Sequence, residues 1–442
     1  MIQSRSAFPP GGTAHASGLK SVPSPRPQNV ERWFVVCVFV LMGVSVWFTG
    51  AEGDDDVMRG SALAQLLWGI VYLAGVVGLL RNRDKLPQLM RLSLPIVAIV
   101  GLATISTAWS IDPGITLKRA FGLFGTTAFG YYIVSRYKLE DFIDILGLTC
   151  CVVIALSLLA VFLVPSIGVM QNEYAGAWRG IFSHKNLFGE FMALAFVTFA
   201  TILLSKEWRR GTAAAGALLA AFLVIQSKSV TAWVVSIAVA YALGLTVLYR
   251  RSVRGRLAAL AIAGATLFAA FGLLAYGGGS QVLLGLVGRD ETFTGRADFW
   301  PQVMQAISFH PLLGYGYSAF WLPNGAFSYF IRSGFIPAHA HNGYLEACLD
   351  FGIVGSALGA LAILIAIRRS AALLARALNP SYTWPFLTVI YFAIINLTES
   401  SIAKYNNFNW IIFVVAFLYA SQCLVLLSNQ RRAQQGRAVS LR

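Results

Sequence analysis

FIDILGLTCCVVIALSLLAVFLV, residues Phe142–Val164, holds a single charged side chain, Asp144. Such a run, wound as a helix, is long enough to cross roughly 30 Å of hydrocarbon. It lacks the polar face that a helix on the surface of a soluble core would need. Working outward from it, further apolar runs occupy about Trp33–Thr49, Ser61–Leu80, Leu92–Trp109, Arg119–Val134, Asn186–Leu204, Thr212–Gln226, Ala232–Tyr249, Leu257–Tyr276, Tyr344–Ile367, Thr383–Leu397 and Phe408–Leu427. The expectation is an all-α polytopic integral membrane protein of about twelve transmembrane helices. The composition agrees: 57% of the 442 residues are apolar and 12% charged, with mean hydropathy +0.67, against about a quarter charged in a soluble domain. Soluble, disordered, fibrous and disulfide-scaffold classes are excluded. The five cysteines, Cys37, Cys150, Cys151, Cys348 and Cys423, all lie in apolar runs without a CxxC or Cys/His spacing and read as small core residues.

The net charge of +15 would suit a nucleic-acid binder, so the placement of the basic groups decides its meaning. With the N-terminus inside, 24 of the 34 Lys and Arg residues fall in the tails and connections on the cytoplasmic side. The positive-inside rule then accounts for the charge through a lipid bilayer, with no nucleic acid and with both termini cytoplasmic. The domain reading is a disordered cytoplasmic tail over residues 1–30, a twelve-helix membrane domain over 31–428 and a basic cytoplasmic tail over 429–442. No small-residue cleavage site follows the first apolar run, so it reads as a span and not as a signal peptide. Outside connections are short except Pro165–Lys185 and the large outer loop Gly277–Gly343 between spans nine and ten. Long ordered loops carry function. No P-loop, GxGxxG, HExxH or GxSxG is present. A transporter is the competing class, but no internal repeat is visible and the long loop divides the spans unequally.

The outward cations are Arg59, Lys118, Arg119, Arg179, Lys185, Lys228, Arg289, Arg296, Arg332 and Lys404. Snorkelling toward lipid phosphates is the ordinary reading; the sharper one is that a subset converges on an anionic ligand. Arg179-Gly-Ile-Phe-Ser-His184-Lys185-Asn186 sets three basic groups before the sixth span, with Asn186 placed to cap it. Thr294-Gly-Arg296 opens a stretch in which Phe299, Trp300, Val303, Met304 and Ile307 recur at helical spacing, an amphipathic helix ending at His310-Pro311. Arg296 near its start adds a two-donor clamp for phosphate. His339-Ala-His341-Asn342-Gly-Tyr-Leu-Glu346 leads from the long loop into span ten. The two histidines lack a third ligand at a zinc spacing, so no metal and no cofactor are expected. Gly355 and Gly359 form GxxxG, a close-packing signal. Asp54-Asp55-Asp56 reads as a solvated loop.

Taken together, Gly180-Ile-Phe-Ser-His-Lys-Asn186-Leu-Phe-Gly189, Thr294-Gly-Arg296 with Pro311-Leu-Leu-Gly314-Tyr-Gly316, and His341-Asn342-Gly-Tyr-Leu345 through Gly352-Ile-Val-Gly355 resemble the bacterial O-antigen ligase and polymerase superfamily, most of all its exopolysaccharide polymerase branch. The resemblance covers roughly Asn172 to Lys404. It implies an all-helical bundle with a large periplasmic loop, and transfer of a glycan from undecaprenyl pyrophosphate to an acceptor hydroxyl. The family's catalytic His matches His341, and its phosphate-binding positions match Arg296 and Lys185 or Arg179. His184, Asn186, His339, Asn342 and Arg289 complete the expected substrate-binding set. Expected partners are the undecaprenyl-pyrophosphate-linked glycan, the lipid bilayer, a flippase and chain-length or export proteins. The leading reading is a polymerase of lipid-linked repeat units. The alternatives are a ligase acting on lipid A core and, in another class, a polysaccharide or lipid transporter.

Overall fold

The computed structural model describes residues 29–49, 62–171, 174–205, 209–275, 296–322, 339–376 and 379–440. Most of the expected N-terminal tail, Arg289 and much of the 277–343 loop lie outside the described residues. The helices are α1 (Asn29–Thr49), α2 (Ala62–Arg81), α3 (Leu86–Leu92), α4 (Leu94–Ile105), α5 (Pro113–Arg136), α6 (Leu139–Leu163) and α7 (Lys185–Ser205). They continue as α8 (Arg210–Gln226), α9 (Val230–Arg251), α10 (Val253–Ala275), α11 (Arg296–Phe309), α12 (Gly343–Arg376), α13 (Thr383–Ile395) and α14 (Phe408–Ser440). Over its described residues, each of the apolar runs read from the sequence is mostly helical, Leu92–Trp109 being divided between the end of α3, α4 and a 3-10 turn, and no strand occurs among the described residues beyond a single bridge between Val169 and Trp178.

Local signals explain the helix ends. Asp112 caps α5 by accepting from Ile115 N at 3.0 Å, with Pro113 next to it, and Ser229 caps α9; both use side-chain oxygens to satisfy orphan N–H groups. Among the described residues five helices, α6, α7, α9, α12 and α14, are long and apolar enough to cross a membrane. A sixth crossing results if Gln65–Arg81 and Leu86–Leu92, bent by 110°, make one span. The polytopic, all-helical reading stands at that level.

The main core is a cluster in which α7 and α14 are central: Leu194, Ala195, Val414 and Phe417 have no exposed surface; a second, smaller cluster joins Val303 and Ala306 of α11 to Tyr315, Phe320, Trp321, Ala340 and Leu349. Leu218, Ile237 and Phe162 are each at least two-thirds exposed, which is costly in water and neutral against lipid tails. The same reasoning corrects the reading of the cysteines, because Cys150 is buried but Cys37 and Cys151 face outward. An apolar run in a membrane protein need not face its core.

Among the described residues, polar contacts mark both ends of the bundle. At one end, Arg136 pairs with Glu31 at 2.6 Å, Arg209 with Asp144 at 3.0 Å, and Arg250 donates to Asn379 O. At the other end the segments 106–112, 165–171, 174–184, 227–229, 311–322, 339–342 and 396–407 lie together. Lys228, Ser318, His341, Ala403 and Asn406, all in these segments, are the non-glycine residues with positive φ among those described.

A break in α12 anchors that end. Gly352 has φ 61° and ψ −158°, a conformation reserved for glycine, and the break frees Leu349 O and the Ile353 and Val354 N–H groups. The turn Pro311-Leu-Leu-Gly-Tyr315 satisfies them: Tyr315 N donates to Leu349 O at 2.8 Å, Ile353 N to Pro311 O at 2.8 Å and Val354 N to Leu312 O at 3.3 Å. Two motifs well separated in sequence are thus one backbone-to-backbone joint. The turn is pinned from its other side by Trp109 Nε1 to Leu313 O at 3.1 Å and by Arg119, which donates to Ser318 O. The GxxxG glycines pack within the chain, Gly355 toward Leu102 of α4 and Gly359 toward Ile402.

Candidate active site

Three segments converge where the sequence placed the candidate residues. His341 lies in the turn before α12, with φ 50°, a left-handed conformation that costs a non-glycine residue of order 1–3 kcal/mol and clusters at functional sites. Its neighbour holds it there. Ala340 N donates to Glu346 Oε2 at 2.7 Å, and Ala340 O accepts from Trp300 Nε1 of α11 at 3.0 Å. Trp321 Nε1 donates to both oxygens of Glu346 at 3.0 and 3.2 Å. Asn342 caps α12 through its Oδ1, which accepts from Tyr344 N and Leu345 N, as its type and place imply. Its Nδ2 donates to Leu397 O, and Gly343 N donates to Asn396 O at 2.8 Å. The turn is therefore stapled to the 396–407 loop.

That loop supplies a residue that sequence reading missed. Glu399 Oε2 stands 3.7 Å from His341 Nδ1, and its Oε1 accepts from Asn186 Nδ2 at 3.0 Å. Asn186 Oδ1 in turn accepts from Ser229 Oγ at 3.0 Å. One helical turn further along the same face of α7, Glu190 accepts from Asn409 Nδ2 at 2.9 Å, and Tyr391 donates to Asn409 Oδ1 at 2.8 Å. The Glu190 carboxylate, buried inside the Asn186–Leu204 run, thus sits in a hydrogen-bonded group, as burial demands.

Lys185 is buried at the start of α7, its Nζ donating to Lys228 O at 3.0 Å and lying 4.3 Å from the Tyr174 ring centroid. His184 Nδ1 accepts from Asn186 N at 3.2 Å, and its ring packs edge-on against Tyr174. Arg179 donates to Ile167 O at 2.8 Å, Ser166 O at 3.0 Å and Ser183 O at 3.2 Å, so this guanidinium ties the 165–184 segment together. Arg296 is the first residue of α11, one turn before Trp300. The apolar stripe of that helix is packing, with Val303 and Ala306 fully buried and Met304 more than half exposed. Asp350 accepts from Ser318 N at 2.8 Å; Lys404 and Arg119 set positive charge against it, and Lys404 does so against Glu346. Burial pushes the Tyr315 hydroxyl up to about 12 and that of Tyr317 well above the usual phenol range. Both stay neutral donors, to Ala306 O and Ala403 O.

His339, His341 and Glu399 bring possible ligand atoms within 4.8 Å of one another, a third acidic ligand that the spacing of the two histidines did not reveal. His339 Nδ1, however, already accepts from His341 N at 3.2 Å. A metal on its other nitrogen would leave the ring without its proton, so the arrangement suits a pairing of His341 with the Glu399 carboxylate better than a three-ligand metal centre.

Two comparisons bear on this site. Residues 215–360 match the family described as O-Antigen ligase, a stretch that takes in α11, the 311–316 turn, His341 and the α12 break. The chain is 28% identical over 278 residues to the Exopolysaccharide production protein ExoQ of Rhizobium meliloti (strain 1021), covering 59% of this chain. It spans about three fifths of that curated relative, 61% of its length. Both findings agree with the motifs around His341 and Gly352: this chain is similar to the O-antigen ligases and to the exopolysaccharide polymerase branch of their superfamily.

Proposed function

We propose that the chain polymerises lipid-linked oligosaccharide repeat units into an exopolysaccharide at the outer face of the bacterial inner membrane, crossing it about twelve times with both termini in the cytoplasm. The observation that carries this reading is the left-handed, half-buried His341, stapled at the entrance of α12 and facing a carboxylate. No ATP is available on that face, so the donor must arrive activated, and undecaprenyl pyrophosphate is a good leaving group. The imidazole takes the proton of the acceptor hydroxyl. The acceptor oxygen bonds to the anomeric carbon as the bond from that carbon to the pyrophosphate oxygen breaks, a single displacement with inversion. Arg296 at the start of α11 and Lys185 at the start of α7 hold the departing charge, aided by the helix N-termini. His184, Asn186, His339 and Asn342 shape the same surface, and Arg179 acts by holding the 165–184 segment. Arg289 belongs to the donor side in this reading. A flippase supplies the donor, and chain-length or export proteins receive the product.

Removing a general base costs ~10²–10⁴-fold. Purified His341→Ala, given lipid-linked donor in detergent, should form no detectable polymer while accumulating normally; near-normal turnover would refute the assignment of the base. The family match by itself favours a second reading, ligation of a finished glycan onto lipid A core. A deletion strain separates the two: loss of long polymer supports polymerisation, whereas normal polymer over bare core supports ligation. Flux of substrate in proteoliposomes without a new glycosidic bond would point to transport.

A further inference from the structure

We infer that Glu399 is a positioning residue that fixes the tautomer of His341, an inference that rests on reading His341 as the base. His341 Nδ1 is buried and makes no hydrogen bond among the described residues; the carboxylate that it faces is Glu399, at 3.7 Å. A carboxylate only accepts, so Nδ1 carries the proton and Nε2 holds the lone pair. Closing the gap to a charge-assisted bond takes roughly 1 Å, a movement of the kind that catalytic pairs make when substrate binds.

Glu399 is itself oriented. The Ser229 hydroxyl donates to Asn186 Oδ1, which turns the amide nitrogen of Asn186 toward Glu399 Oε1. The relay crosses four parts of the fold: the start of α9, the first turn of α7, the 396–407 loop and the turn before α12. The neighbouring histidines are arranged the other way round. His184 and His339 each accept a backbone N–H on Nδ1, so in the neutral ring their proton sits on Nε2 and that nitrogen has no lone pair to act as base. The same logic gives the proton a course during the reaction. Nε2 takes it from the acceptor hydroxyl, and Glu399 faces the imidazolium that forms, as the carboxylate does in a Ser-His-Asp triad.

The test uses the full-length protein in detergent with lipid-linked donor. Glu399→Gln keeps the side chain's shape but presents an amide, and the equivalent exchange in a Ser-His-Asp triad costs ~10⁴ in kcat. We expect a loss of ~10³–10⁴-fold in kcat with KM within about threefold of wild type and an unchanged melting temperature, and partial recovery in Glu399→Asp. Asn186→Ala should show a smaller loss, again in kcat. ¹⁵N shifts of labelled histidine in the unsubstituted protein, with His341 assigned from His341→Ala, should report a protonated Nδ1. If His341→Ala is dead but Glu399→Gln turns over within about threefold of wild type, or if Nε2 carries the proton, the role of Glu399 is overturned and the base survives. An active His341→Ala overturns both.

Discussion

Replacing Gly352 by alanine tests whether the joint between α12 and the 311–316 turn holds the active end in place. At φ 61° and ψ −158° an alanine carries strain of order 1–3 kcal/mol. Its Cβ would also stand 2.3 Å from Leu312 C, 2.4 Å from Leu312 O and 2.5 Å from Leu313 N. These are backbone atoms, which cannot swing aside as a side chain can, so either the turn retreats or α12 straightens. Both routes give up the bonds from Tyr315 N, Ile353 N and Val354 N, at about 1 kcal/mol each. The total is ~4–6 kcal/mol, a large share of the stability of an ordinary domain. The effect should reach the chemistry, because the turn continues to Trp321, whose indole holds Glu346, whose carboxylate holds Ala340 beside His341. Gly359→Ala is the control on the same helix, since its Cβ would meet only Ile402 Cγ2 at 3.5 Å, an ordinary contact. Thermal unfolding in detergent and polymer formation are the measurements. Gly352→Ala should unfold well below wild type and lose polymer, with Gly359→Ala close to wild type in both. A Gly352→Ala protein that melts and polymerises like Gly359→Ala would refute the joint.

Arg296→Ala should lose most activity at normal protein levels, and Arg296→Lys should recover part of it, because lysine keeps the charge without the planar two-donor fork; normal polymer in both would place the pyrophosphate elsewhere. Arg179→Lys should act on stability instead, by about 1–3 kcal/mol, since one ammonium cannot serve the carbonyls of Ile167, Ser166 and Ser183 together; a melting temperature equal to wild type would count against this. Turnover by purified protein should survive a chelator, and its loss, with recovery on adding back a divalent ion, would favour a metal at His339, His341 and Glu399. Alkaline phosphatase fused at Gly278 should be active and at Arg254 inactive; the reverse pattern would invert the topology.

The sequence by itself determined whatever depends on neighbours along the chain. Hydropathy located the helices, and Asn342 announced its own cap because capping needs only the N–H groups two and three residues on. The motif around His341 announced the candidate base in the same local way. What the tertiary structure decided was which separate segments meet. Asn186 and Glu399 lie 213 residues apart, and no periodicity or spacing links them; they touch because α7 packs beside the loop between α13 and α14. The same holds for the turn at Pro311–Tyr315 and the break at Gly352, whose pairing is a matter of backbone groups that have no signature in side-chain type. Arg179 and Lys185 look alike as outward cations in the sequence. In the fold Arg179 donates to three carbonyls while Lys185 is buried against Tyr174 and Lys228 O, and that difference in surroundings arises only once the helices have packed.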